Sequence, residues 1–202
     1  MQLIFVRHGE TIWNRIGRFQ GASDIELSDT GILQAEKVAL RFKGEKIDHI
    51  YSSPYKRAYA TAVAIKGDRN ITIHKDIRLG EIDFGEWEGK TFQEVEQMDP
   101  ENLKLYRTKS ELAILPGEGS LENVRKRAAA AVDEIIARHR GTEDRILIAA
   151  HGGIIRLAIF HLLNIGKGHF QQFFLGNTAV SIVDVEPNIN KLESFNDISH
   201  LI

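Results

Sequence analysis

The sequence predicts an α/β fold, a three-layer α/β/α sandwich built on a mostly parallel sheet. Two observations predict it. Short apolar and β-branched runs at 3–6, 47–51, 71–74 and 146–150 alternate with segments of helical periodicity, which is the pattern of strand–helix–strand units. The runs at 3–6 and 146–150 are apolar throughout instead of alternating, as expected of strands that helices cover on both faces.

The predicted helices have apolar residues at intervals of three and four, and several begin at a recognisable cap. They lie at 28–44, 55–65, 91–109, 120–140 and 153–163. Ser28 is a typical N-cap of the first of them, and either Ser120 or Asn123 caps the fourth. Residues 11–20 are predicted to form a short helix and a loop, and residues 178–195 a terminal hairpin.

Length and composition bound the organisation of the chain. With 202 residues, 43% hydrophobic and 27% charged, residues 1–202 are predicted to form a single domain, with a helical lid segment at about 90–115. The net charge of −2 provides no field that would attract nucleic acid or an anionic membrane. No apolar stretch approaches the roughly 20 residues of a spanning helix. The absence of cysteine excludes disulfides, thiolate zinc sites and a cysteine nucleophile, and we expect a cytoplasmic protein.

Reactive side chains follow two of the predicted strands. Arg7 and His8 come directly after the run at 3–6, and His151 comes directly after the run at 146–150. Ligands of open α/β sheets bind beyond the carboxyl ends of the strands. We therefore expect the two histidines to face one another across one crevice.

The residues around both histidines resemble those of a known family. The Arg-His-Gly-Glu-Thr motif at 7–11, Asn14 and the distant His-Gly-Gly motif at 151–153 are similar to the histidine phosphatase superfamily, which includes cofactor-dependent phosphoglycerate mutases and α-ribazole phosphatases. The resemblance extends over almost the whole chain in the same order. It implies a phosphoglycerate mutase-like fold and a reaction through phosphohistidine.

The resemblance assigns a role to five residues. It implies that His8 is the nucleophile, that Arg7, Arg57 and His151 stabilise the charge of the transition state, and that Glu81 protonates the departing oxygen and then activates water. The residue types suit this chemistry. Two guanidinium groups clamp a phosphate dianion with paired hydrogen bonds, and a neutral imidazole attacks phosphorus once a carbonyl fixes its tautomer.

Glu81 shares its loop, residues 79–89, with three other carboxylates and with two aromatic residues. The competing carboxylates are Asp83, Glu86 and Glu88. A seat against apolar surface would suit a general acid. The residues alone leave the choice open, and the Leu-x-Glu and Gly-x-Trp-Glu-Gly patterns shared with the family favour Glu81.

Further residues are expected to bind the phosphate group, and no cofactor or metal is predicted. The resemblance implies phosphate contacts from Asn14, Gln20, Gly21 and Gly152. The chain lacks the Asp-x-Asp pair of magnesium-dependent phosphatases and the G-x-x-x-x-G-K-[ST] loop of nucleotide-binding proteins. The other histidines are predicted to be structural or exposed; they are His49, His74, His139, His161, His169 and His200.

Three functions remain open from the sequence. The first is a metal-independent phosphatase of small phosphomonoesters, with α-ribazole 5′-phosphate as the leading substrate. The second is a phosphoglycerate mutase, although mutases of the family have a longer lid with paired arginines that the stretch at 106–109 does not contain. The third is a non-catalytic regulatory module. A small-molecule phosphomonoester is the expected partner, and the oligomeric state, including a homodimer, stays open.

Overall fold

A six-stranded sheet forms the centre of the molecule. The computed structural model describes all residues, 1–202. The strands are β1 (Gln2–Arg7), β2 (His49–Ser52), β3 (Ile73–Lys75), β4 (Arg145–Ala150), β5 (Val180–Val185) and β6 (Asn190–Asp197), arranged in the order β3-β2-β4-β1-β5-β6. The first four strands in that order are parallel, and the terminal hairpin β5–β6 adds two antiparallel strands at one edge.

Helices connect and cover the strands. They are α1 (Ile12–Arg15), α2 (Asp29–Arg41), α3 (Lys56–Lys66), α4 (Phe92–Met98), α5 (Pro100–Thr108), α6 (Leu121–Arg138) and α7 (Gly152–Leu163). Short 3-10 turns lie in the connections at Ile77–Leu79, Gly85–Trp87, Ser110–Leu112, Lys167–Gln172 and Ser199–Leu201. Ser28 caps α2 and Ser120, not Asn123, caps α6, each accepting a backbone N–H with its hydroxyl oxygen.

The single helix predicted at 91–109 is wrong. The structure has two helices there, α4 and α5, separated at Asp99, whose backbone is outside the helical region. Pro100 is the first residue of α5, a position that requires no N–H donor. Because proline disfavours helical backbone in the residue before it, Asp99 breaks the periodicity that the apolar residues alone suggested.

Two apolar cores lie on opposite faces of the sheet, which confirms the three-layer prediction. In β1, Leu3 and Phe5 belong to the larger core beneath α6 and α7, whereas Ile4 and Val6 belong to the smaller core beneath α2 and α3. All four side chains are buried. Successive side chains of a strand point to opposite faces, so an uninterrupted apolar run reports a strand buried on both sides.

The register of the two central strands positions the residues that follow them. β1 and β4 pair in parallel, with Arg7 opposite Ala150. The next residues, His8 and His151, therefore leave the sheet at the same edge. None of the helices combines the length and the apolar character required to cross a membrane.

Candidate active site

The structure brings the two predicted histidines together. Their ring centroids are 5.1 Å apart, His151 is fully buried and His8 is only 2% exposed. Burial, reinforced by the positive charge of Arg57, lowers the pKa of both imidazoles well below the usual 6.5. Both rings are therefore neutral at neutral pH, which is the state that a nitrogen nucleophile requires.

A backbone carbonyl fixes the tautomer of His8. Its Nδ1 lies 2.7 Å from the carbonyl oxygen of Gly9. A carbonyl only accepts, so Nδ1 carries the proton and the lone pair is on Nε2. Gly9 itself is held by a hydrogen bond from its N–H to Thr61 Oγ1, and a Cβ at this position would come within 2.4 Å of the carbonyl oxygen of Gly31. Only glycine fits here, and the loop that orients His8 is rigidly packed.

Arg57, in the first turn of α3, connects the loop after α1 with His151. Its guanidinium group is fully buried and donates to the carbonyl oxygens of Gly21 and Ser23, each at 2.7 Å. Its Nε donates to His151 Nδ1 at 3.2 Å. The predicted site residue Gly21 thus contacts Arg57 through its carbonyl, and it has a positive φ of 55°. A Cβ there would overlap the Glu88 carboxylate, so this turn also requires glycine.

His151 is held at both ring nitrogens. Because Nδ1 accepts from Arg57, Nε2 carries the proton and donates to Ser53 Oγ at 2.8 Å. Ser53 was not predicted from the sequence, although it directly follows β2, the strand that pairs with β4. The signal was available, because a polar residue at the carboxyl end of a central strand lies at the crevice edge.

Arg7 lies at the border between the histidines and an open cavity. Its Nη1 donates to the carbonyl oxygen of Leu175, while its buried Nε has no hydrogen-bond partner. Burial lowers the pKa of Arg7 to about 10, still high enough for a full positive charge at neutral pH. A buried charged donor without a partner is costly, and an anionic ligand would satisfy it.

Glu81 lies at the N-terminus of α7. Its Oε2 accepts from the N–H of Gly153 at 3.1 Å, and its Oε1 accepts from the N–H groups of Ile82 and Ile154. Backbone N–H groups therefore hold this carboxyl group on both of its oxygens. The aromatic residues of the loop, Phe84 and Trp87, turn into the core, with 7% and 1% of their surface exposed.

The three competing carboxylates of the same loop have other positions. Glu88 accepts from the N–H groups of Ala22 and Ser23, and so connects its own loop to the loop that follows α1. Asp83 accepts from the N–H of Gly85, and Glu86 is exposed. None of the three lines the cavity beside Arg7, which leaves Glu81 as the carboxylate placed for chemistry.

Arg7, Glu81 and Gly152 form the inner end of a cavity of about 430 Å³. A Cβ at Gly152 would lie 3.5 Å from Arg7 Nε, in ordinary contact. The remaining lining comes mostly from residues that the sequence did not single out, in α4, α5, α7 and the loop before β5. They are Phe92, Tyr106, Arg107, Gly153, Arg156, Gln171, Phe174 and Leu175.

Asn14 and Gln20 lie near His8 but do not line this cavity. Asn14 forms a capping box with Thr11 at the start of α1. Thr11 also donates its hydroxyl to Gln20 Oε1 at 2.7 Å. Asn177, which was not predicted, donates to both Asn14 Oδ1 and the carbonyl oxygen of His8. Direct phosphate contacts from Asn14 and Gln20 stay a prediction.

Comparison with known proteins agrees with this geometry. The family model described as histidine phosphatase superfamily, branch 1, matches residues 3–198. Phosphoserine phosphatase 1 of Hydrogenobacter thermophilus is 33% identical, over 100% of this chain and 94% of the relative. Phosphoglycerate mutase-like protein 4 of Arabidopsis thaliana is 39% identical, over 99% of this chain and 86% of the relative. The crystal structure of a mutant phosphoserine phosphatase from Entamoeba histolytica, in complex with phosphoserine, has a TM-score of 0.89 at 35% identity, covering 100% of this chain and 99% of the other.

The chain belongs to the histidine phosphatase superfamily. Within that superfamily it is an enzyme of the phosphatase type. The resemblance and the fold class inferred from the sequence are therefore confirmed, and the third alternative, a non-catalytic module, is not supported.

Proposed function

We propose that the protein hydrolyses small phosphomonoesters without a metal ion, through a phosphohistidine formed on His8. One observation carries this proposal. The hydrogen bond from His8 Nδ1 to the Gly9 carbonyl leaves the Nε2 lone pair of a neutral imidazole as the nucleophile, in a site that also contains Arg7 and Arg57. Those charges match a phosphate dianion and the charge that develops during its transfer.

The proposed reaction has two steps. In the first, the Nε2 lone pair of His8 attacks phosphorus, the P–O ester bond breaks, and the departing oxygen takes a proton from the protonated form of Glu81. In the second, the Glu81 carboxylate takes a proton from water, the water oxygen attacks phosphorus, and the N–P bond electrons return to Nε2. Arg7 and Arg57 supply positive charge in both steps, and His151 lies beside His8 as a neutral hydrogen-bonding group.

The outer part of the cavity favours a leaving group with an anionic substituent. Arg107 is exposed, has no ion-pair partner and lines the cavity together with Gln171 and the aromatic residue Phe92. A free cation at the mouth suits a carboxylate on the substrate. Relatives named phosphoserine phosphatase support phosphoserine as the first substrate to test. The ribazole ester, which has no carboxylate, is the leading alternative from the resemblance.

A substrate panel tests the proposed function. We expect protein treated with EDTA to release inorganic phosphate from phosphoserine at the rate of untreated protein, because no step requires a metal. The panel also contains α-ribazole 5′-phosphate and 3-phosphoglycerate, with product analysis for 2-phosphoglycerate. A mutase is the second candidate, since a 39% identical relative is named mutase-like. Isomerisation without phosphate release would favour it. Activity lost to EDTA and restored by metal, in protein that circular dichroism shows to stay folded throughout, would contradict the proposal.

Replacing Arg107 by alanine should raise KM for phosphoserine by about five- to tenfold, which corresponds to about 1 kcal/mol of lost binding. The KM for p-nitrophenyl phosphate, whose leaving group has no carboxylate, should change by less than twofold. Steady-state kinetics with both substrates make the comparison. Lys104→Ala, on the exposed side of α5 and outside the cavity lining, is the matched control. Equal changes with both substrates would contradict the carboxylate contact.

A further inference from the structure

Three potential metal ligands converge at the edge of the sheet opposite the active site. His49 begins β2, His139 follows the last residue of α6, and Asp144 directly precedes β4. Asp144 Oδ2 lies 3.1 Å from His139 Nδ1 and 3.3 Å from His49 Nε2. All three ligand atoms lie within 4.8 Å of one another.

These separations match the edges of a small coordination polyhedron. Zinc binds imidazole nitrogen and carboxylate oxygen at about 2.0–2.2 Å, which places the ligand atoms of a tetrahedral site about 3.4 Å apart. The two nitrogen–oxygen distances, from His49 and His139 to Asp144, are close to that value. Two imidazoles with one carboxylate are also a donor set that suits zinc and other late transition metals and does not suit magnesium.

The surroundings supply an outer hydrogen bond and an open position. Tyr51 Oη lies 2.9 Å from His139 Nε2, the ring nitrogen that would not bind the ion. A hydroxyl both donates and accepts, so it accommodates the shift of the His139 proton from Nδ1 to Nε2 when an ion displaces it. His139 is buried, but the His49 side chain is 36% exposed and Asp144 21%, which leaves access for the ion and for a water ligand.

We propose that His49, His139 and Asp144 form a zinc site, completed by water. The ion would bind the start of β2, the end of α6 and the start of β4 to one another. β2 and β4 are parallel, so the ion would lie at their amino ends, whereas Ser53 and His151 follow their carboxyl ends. The site lies outside the catalytic machinery, so its role is to stabilise the folded chain, and the proposal is independent of metal-free phosphoryl transfer.

Isothermal titration of untagged, EDTA-treated and desalted protein with ZnCl2 tests the site. Wild-type protein should bind one Zn2+ per chain and show a higher melting temperature in its presence, whereas MgCl2 should produce neither effect. His49→Ala should lose the saturable binding; its side chain is partly exposed, so the variant is expected to fold. Tyr51→Phe keeps all three ligands and removes only the outer hydrogen bond, and should weaken binding by about 10- to 100-fold.

Two control variants keep the result specific. His161→Ala removes a histidine that is paired with a single carboxylate, Asp133, and should bind Zn2+ like the wild type. His8→Ala should also bind normally, which separates this site from the active-site imidazoles. The proposal is overturned if wild-type protein shows no saturable binding, if His49→Ala binds as tightly as wild type, or if His8→Ala loses the binding.

Discussion

Replacing His8 by alanine should lower kcat for every phosphomonoester by at least ~10^4-fold, because the variant has no nitrogen to accept the phosphoryl group. The carbonyl of Gly9 and the arginines would remain, so substrate should still bind. Steady-state phosphate release measures the loss. Retained affinity for inorganic phosphate, measured by titration, separates a missing nucleophile from a disrupted site.

The matched control is His74→Ala, which removes an exposed histidine on the edge strand β3 and should retain full activity. Circular dichroism and the melting temperature establish that the His8 variant is folded. A folded variant with more than a tenth of the wild-type kcat would contradict the assignment of His8 as nucleophile.

Replacing Glu81 by glutamine should lower steady-state kcat for phosphoserine by about 10²- to 10⁴-fold, the usual contribution of general acid–base catalysis. The reason is that glutamine neither protonates the serine oxygen nor accepts a proton from water. With p-nitrophenyl phosphate, the substitution should leave phosphorylation of His8 fast and slow only the hydrolysis of the phosphohistidine. Its weakly basic leaving group needs no proton, so a rapid burst of one nitrophenolate per chain should precede slow turnover.

Stopped-flow absorbance measures this burst directly. Glu86→Gln is the control, because Glu86 belongs to the same loop but is exposed. It should behave as wild type with both substrates. Absence of the burst in folded Glu81→Gln would show that Glu81 does more than transfer protons. An unchanged steady-state rate would show that another group is the general acid and base.

The sequence was sufficient for the part of the site that follows the central strands. The apolar runs that end in His8 and His151 specify strands buried on both faces, and parallel pairing of β1 with β4 brings their ends together. That inference needs only local pattern and the geometry of parallel sheets. The tie between His8 Nδ1 and a carbonyl was expected as a chemical requirement, and the structure supplies it from Gly9.

The outer cavity was not predictable in the same way. Arg107 and Gln171 come from segments that are distant in sequence, and nothing in their local pattern distinguishes them from ordinary surface residues. Their convergence depends on how α5 packs against α7 and the following loop. The hydrogen bonds that hold the Glu81 carboxylate were not predicted for a related reason. Two of their N–H donors belong to the start of α7, about 70 residues further along the chain.

The proposed reaction requires a phosphoryl group that is bound covalently to His8 during turnover. Rapid mixing of Glu81→Gln protein with p-nitrophenyl phosphate, quenching in alkali, digestion and mass spectrometry test it directly, because the slowed second step lets the intermediate accumulate. We predict one phosphoryl group on the peptide that contains His8, stable in base, lost in acid, and absent when His8 is alanine. A phosphoryl group on any other residue, or a nitrophenolate burst without a phosphorylated peptide, would contradict the account.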